Sequence, residues 1–182
     1  MNNKIAALLC GLLTSLHLST ASATENGSDS FSLGAEGIMA GALPPAGLYF
    51  LGYYQNYHAN EFVDGPSQFH VDVNAVVPRL VWMTNYQIAQ GQLGIYASQP
   101  LVDLKVNING LRDSNQGLGD LYLGTMLGWH HHNHHWLAAL ETVLGTGDYK
   151  TPSQTDPVRA NIGKNYDTIR PIFAYSYITQ MD

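Results

Sequence analysis

Residues 117–148, GLGDLYLGTMLGWHHHNHHWLAALETVLGTGD, constrain the fold more than any other stretch, because they alternate at period two on both sides of a short tip. From Asp120 onward, Leu121, Leu123, Thr125, Leu127 and Trp129 share one face, while Asp120, Tyr122, Gly124, Met126 and Gly128 share the other. That pattern is a strand with one apolar face and one small or polar face. A second alternating run, residues 136–144, follows the tip, so the two predict an antiparallel hairpin with Trp129 and Trp136 at its mouth. Tryptophans at the ends of an apolar strand face match the aromatic girdles that flank the lipid-facing band of an outer-membrane barrel. A soluble β-sandwich is the competing reading.

The rest of the chain extends the pattern. Strands are expected over residues 47–58, 69–84, 92–108 and 166–179. With the hairpin they make about six, each of about ten residues or more, the length a tilted strand needs to cross a bilayer. Tight turns are expected after Trp82 and Trp129, and long polar loops after His58, Ile108 and Leu144. The apolar positions change parity near Pro78 and Arg79, which predicts a β-bulge, since proline removes a ladder donor. On this pattern Val73 and Leu123 face hydrocarbon, while Asn74 and Tyr122 face the interior.

The first 23 residues predict a secretory signal peptide: Lys4 is the only charge, an apolar run follows, and Ala21, Ser22 and Ala23 form a small-residue cleavage site. Residues 24–46 predict an irregular leader and residues 47–182 the barrel strands. Cleavage removes Cys10, the single cysteine, which excludes thiol and disulfide chemistry from the mature chain. The formal net charge of -6 becomes one unit more negative with the loss of Lys4, and no cluster of Lys and Arg marks a nucleic-acid footprint. Charged residues make up only 12% of the chain, which suits a barrel better than a soluble enzyme.

Six segments carry a family resemblance: LGAEGIMAGALPPAGLYFLGYYQNYHA from Leu33, RLVW from Arg79, QPLVD from Gln99, the glycine turns near Gly117 and Gly145, and NIGKNYDTIRPIFAYSY from Asn161. On these the chain resembles the family named for the MetA pathway of phenol degradation, the SphA-like outer-membrane proteins. The resemblance implies an outer-membrane β-barrel associated with catabolism of hydrophobic compounds, which it passes or binds, and supplies no catalytic residues. Family members are longer, and this chain stops at Asp182 without the terminal aromatic residue that barrel assembly machinery reads. Closure takes about eight strands, so about six predict an incomplete antiparallel transmembrane barrel and a truncated member.

Chemistry is sparse. His130, His131, His132, His134 and His135 could chelate a metal, but no carboxylate lies in the tip, so a solvated turn that holds ions adventitiously is expected. His70, Asp72, Asn74, Asp103, Lys105, Asp120 and Arg170 fall on or near strands and are expected to line a wet interior and tune its preference. Ser98 with His70 and Asp72 is the nearest approach to a hydrolase assembly, yet no nucleophile motif frames Ser98. Gly117, Gly119 and Asp120 lack the Lys and Ser or Thr of a phosphate loop.

The expected function is therefore an outer-membrane channel or binding conduit for uptake of small hydrophobic or aromatic compounds, linked to their degradation. It needs no cofactor and performs no catalysis. Its partners are outer-membrane lipid, the barrel assembly machinery and the solute, and nucleic acid is not among them. Rival expectations are a barrel enzyme acting on lipids or esters, and a structural or adhesive surface barrel. N-terminal sequencing of exported protein is expected to start at Thr24; a mature chain that keeps Met1 would remove the export argument.

Overall fold

Alternating residues acquire a fixed face only when their strand is paired, and pairing here is extensive. The computed structural model describes residues 37–179 and places eight strands in one antiparallel sheet, curled and open. They are β1 (Gly47–Ala59), β2 (Phe69–Ile88), β3 (Gly91–Ser98), β4 (Leu101–Ile108), β5 (Leu111–Leu118), β6 (Leu121–His131), β7 (His134–Leu144) and β8 (Thr168–Tyr177). β1 runs along one edge of β2, and β3 and β4 lie end to end along the other. β6 and β5 lie end to end beside them, followed by β7 and β8. Among the described residues the outer edges of β1 and β8 have no strand partner. The signal peptide expected over residues 1–23, and the leader as far as residue 36, lie outside the described residues.

The expected all-β antiparallel architecture is found, with corrections. The polar loop expected after Ile108 is a two-residue turn of Asn109 (φ 53) and Gly110 (φ 85), both left-handed as a type I′ hairpin requires. Residues 111–118 are β5, paired with β4 along its whole length. Every residue of LRDSNQGL between its terminal leucines is polar or Gly, so period two left no trace there. The other tight turns fall at Ala89 and Gln90 and at His132, both at the end opposite the long loops 60–68 and 145–167.

The bulge expected at Pro78 is absent. β1 and β2 stay in unbroken register from Gly47↔Met83 to Ala59↔Val71. Pro78 lacks an N–H where the neighbouring ladder is itself interrupted, between Ser98 and Leu101, and its carbonyl accepts Gln99 N at 3.2 Å and Ser98 Oγ at 3.2 Å. The inserted residue lies one strand further on. The pairs Ser98↔Tyr122 and Leu101↔Leu118 bracket Gln99 and Pro100 against Gly119, Asp120 and Leu121. That bulge turns Asp120 inward. A second register shift, between Met83 and Gln87, is held by Thr84, whose Oγ1 donates to Leu93 O at 2.8 Å and accepts Tyr86 N at 3.1 Å.

A line of interruptions, Pro78, Pro100 and Gly119, thus crosses the sheet, and side-chain polarity inverts across it. The inner face carries the core of Val81, Met83, Tyr96 and Met126. Residues 37–45 lie on that face: Gly41 N donates to Ser176 Oγ at 3.0 Å, and a Cβ at Gly128 would come within 2.6 Å of Leu43. Below the line β2 shows Leu80 and Trp82 outside and Arg79 and Val81 inside; above it Asn74, Asp72 and His70 are outside and Val77, Ala75, Val73 and Val71 inside. Leu123 faces outward and Tyr122 inward as expected. Val73 and Asn74 are reversed, because the strand keeps its parity and its surroundings change.

Gly124 sits opposite Tyr96, where a Cβ would come within 2.1 Å of the ring, whereas Gly52 has nothing within 4 Å. Gly124→Val is expected to cost about 1–3 kcal/mol in urea unfolding of the folded protein. Gly52→Ala is expected to leave stability unchanged or raised; equal losses at both would refute this packing.

Candidate functional site

An inner face that carries charge needs each charge paired, because desolvated groups without partners are costly. Glu141 on β7 is buried and forms an ion pair with its register partner Arg170 on β8. Its second oxygen accepts the Tyr96 hydroxyl at 2.8 Å from across β6. The Arg79 guanidinium lies 4.0 Å over the Tyr96 ring, and that of Arg170 lies 5.8 Å from the Tyr122 ring centre. These groups make a continuous wall of cations, one carboxylate and phenol rings. The small residue opposite Tyr96, Gly124, gives the ring its room.

Above the line loop 145–167 covers part of the inner face. The Asp120 carboxylate accepts Gly147 N and Lys164 N, each at 2.9 Å. Asp113 accepts Ala160 N at 2.8 Å, and Asn115 Nδ2 donates to Asp148 at 2.7 Å. Ile162 packs on Gly117, and Gly147 and Gly163 touch through their backbones, an approach that a side chain at either would block.

Of the residues expected to line the interior, Asp120 and Arg170 do face it. His70, Asp72, Asn74, Asp103 and Lys105 are brought together, but on the outer face. Placing apolar Val71 and Val73 toward lipid turns these residues inward, and the structure has both valines on the inner face instead. The outer group gains His58 from β1, in register with Asp72. Both histidines turn a ring nitrogen to Asp72, and the hydrogen bond from His58 foremost holds that carboxyl below the usual carboxylate range. Arg79, Tyr122 and Glu141 share the inner face with Asp120 and Arg170, and Tyr96 joins them through pairing across β6, which local pattern does not encode.

The histidine tip is divided. His130 Nδ1 lies 2.7 Å from His135 Nδ1, and His130 is pushed toward its neutral form by burial and then by His135. His134 stacks on Trp136 at 5.7 Å and contacts the Tyr175 hydroxyl at 2.7 Å. Among the described residues the group of three metal-capable side chains is His58, His70 and Asp72 instead. Ser98 bonds Pro78 O on the inner face, so it does not assemble with His70 and Asp72 on the outer.

Asp113 supplies a pH test of the loop closure. The Ala160 N–H, against a smaller desolvation, holds its carboxyl below the usual range. A depressed folded-state pKa gives stability that is present above the unfolded value and lost as pH falls through the folded one. Protection of the Ala160 amide from hydrogen exchange is therefore expected to fall once pH drops below about 4, and to be low at neutral pH in Asp113→Ala. Undiminished protection at low pH would show that Asp113 does not hold the loop.

No curated protein and no solved structure shows significant similarity to this chain. The family model described as "Putative MetA-pathway of phenol degradation" matches residues 55–181, which takes in the upper half of β1, every later strand and the long loop. With that match over most of its length, the chain belongs to the MetA-pathway phenol-degradation family.

Proposed function

We propose that the sheet is a wall of an outer-membrane β-barrel that passes or binds small aromatic compounds bound for degradation. The observation that carries this reading is the abrupt row at which the outer face changes. The cross-strand row Tyr54, Val76, Leu101 and Leu118 is apolar or aromatic; the next, Asn56, Asn74, Asp103 and Gln116, is wholly polar. Four neighbouring strands change together from apolar to polar, so the outer face meets two different surroundings on the two sides of that row.

Below that row the outer face is unsuited to water, with Leu48 68%, Phe50 74%, Ile169 69% and Phe173 80% exposed. Contiguous apolar surface on that scale marks a lipid or protein contact. At the short-turn end lie Tyr86, Trp129, Trp136, Tyr175 and Tyr177, an interfacial girdle. From Val76 to Tyr86, at about 3.3 Å per residue, β2 runs about 33 Å, which a tilt near 40° shortens to the roughly 25 Å apolar band of such barrels.

The inner wall suits the cargo that the family membership suggests. A phenolic ring can stack on the guanidinium planes of Arg79 and Arg170, while its hydroxyl meets Glu141 or Tyr96. Residues 37–45 on the same face narrow any passage at the short-turn end.

Vesicles holding the sheet completed to a closed barrel by added strands along β1 and β8 are expected to take up phenol faster than vesicles holding the chain alone and to show no comparable gain for a hexose. Leu123→Arg is expected to cost about 2–4 kcal/mol in lipid, whereas Gln116→Arg, just past the boundary row, changes stability by about 1 kcal/mol or less. Equal tolerance at both positions would remove the membrane placement. Insertion without phenol selectivity would remove the cargo.

A further inference from the structure

The outer face above the boundary row holds side chains that the proposed passage does not use. His58 pairs in register with Asp72, and His70 stands two residues before Asp72 on the same face. His58 Nδ1 meets one oxygen of the Asp72 carboxylate, and His70 Nε2 lies 2.6 Å from the other. The ligand-capable atoms of all three lie within 4.8 Å of one another. The rings sit edge to face, 4.9 Å apart at 79°, so they reach the carboxylate from different directions.

Two imidazole nitrogens and one carboxylate oxygen are a donor set suited to zinc and its first-row neighbours, and too rich in nitrogen for calcium or magnesium. Tetrahedral bonds of about 2.0–2.2 Å put donor atoms roughly 3.3 Å apart. Side chains this exposed can open by that amount through rotation alone.

His70 is held at both of its ring nitrogens. Asn60 Oδ1 lies 2.6 Å from His70 Nδ1, so His70 has an oxygen at each ring nitrogen. A neutral imidazole has one N–H to give. With that hydrogen directed to Asn60, the Nε2 lone pair points at a carboxylate oxygen, an opposition that a metal ion between them turns into two bonds. Asn60 then does what outer partners of metal-bound histidines do, fixing the tautomer and ring angle. Lys105 faces Asp72 across the ladder, and its Nζ lies 3.9 Å from Asp103, which offsets its charge near the site.

We propose that His58, His70 and Asp72 bind one divalent d-block cation of the zinc class. Bound there, it joins the upper ends of β1 and β2 and, through Asn60, fixes the start of loop 60–68. A fourth position faces solvent and takes water.

The test uses the full chain folded in detergent micelles, with His130, His131, His132 and His135 replaced by Ser so that the tip contributes no binding. His134 is kept because it packs on Trp136. Calorimetric titration with zinc is expected to show saturable binding of one ion per chain. Asp72→Ala and His70→Ala should abolish it, and Asn60→Ala should weaken it by about tenfold or more. Cobalt(II) should give the intense visible bands of a tetrahedral site, absent in Asp72→Ala. If an alanine variant misfolds by circular dichroism, Asp72→Asn, which keeps the shape and removes the charge, decides in its place. No saturable binding, or binding that survives both Asp72 and His70 substitution, overturns the site. Zinc that binds without slowing protease cleavage within loop 60–68 overturns the clamp.

Discussion

The structure depends on the unbroken backbone of β2. A strand fixes its two faces by geometry, so a chain that inserts no residue cannot exchange them. Yet β2 passes through Pro78 in continuous register with β1. It can carry an apolar outer wall below and a polar one above only if the sequence itself swaps which parity is apolar. Leu80 and Trp82 on even positions give way to Val77, Ala75, Val73 and Val71 on odd ones. Proline is tolerated at that point because β3 has ended and β4 has not begun, so no donor is missed on that side.

Two features follow from that swap. Below the line the inner face holds the polar groups, and burial of Glu141 is stable only because Arg170 and the Tyr96 hydroxyl meet it. Above the line the inner face is apolar, with Val71, Val73, Val102 and Leu104, and would be exposed without a cover. Loop 145–167 supplies part of that cover and is anchored by Asp113 and Asp120, the latter turned inward by the bulge at Gly119. The loop is thus an inner layer of the sheet, and its glycines at Gly147 and Gly163 permit the close approach.

This explains which parts the sequence disclosed. The Trp129↔Trp136 hairpin was legible because it lies wholly on one side of the boundary, where apolar and outward mean the same thing. β2 crosses the boundary, where the apolar parity changes while the backbone parity does not, so hydrophobicity alone points its upper half the wrong way. β5 escaped because both its faces are polar, although Asn109 and Gly110 were a legible hairpin turn. The tight turn expected after Trp82 falls at Ala89 and Gln90, both left-handed without glycine. His70, Asp72, Asn74, Asp103 and Lys105 were rightly grouped, since spacing along strands places residues on a face. Which face it is, and that His58 joins from β1, depends on register across a long loop that local pattern does not encode.

The remaining constraint is at the edges. β1 and β8 each carry exposed aromatic residues of the apolar band, Phe50 on one and Phe173 on the other, so their outer edges fall at the depth of hydrocarbon in the proposed setting. Unpaired N–H and C=O groups there cost several kcal/mol apiece. Side chains cannot answer that cost, because neither Phe50 nor Phe173 offers a donor or acceptor. Only ladder pairing along both edges does, and it must continue the tilt and facing that β2 already sets. In that setting the charged wall of Arg79, Glu141 and Arg170 would line a passage only once those edges are paired.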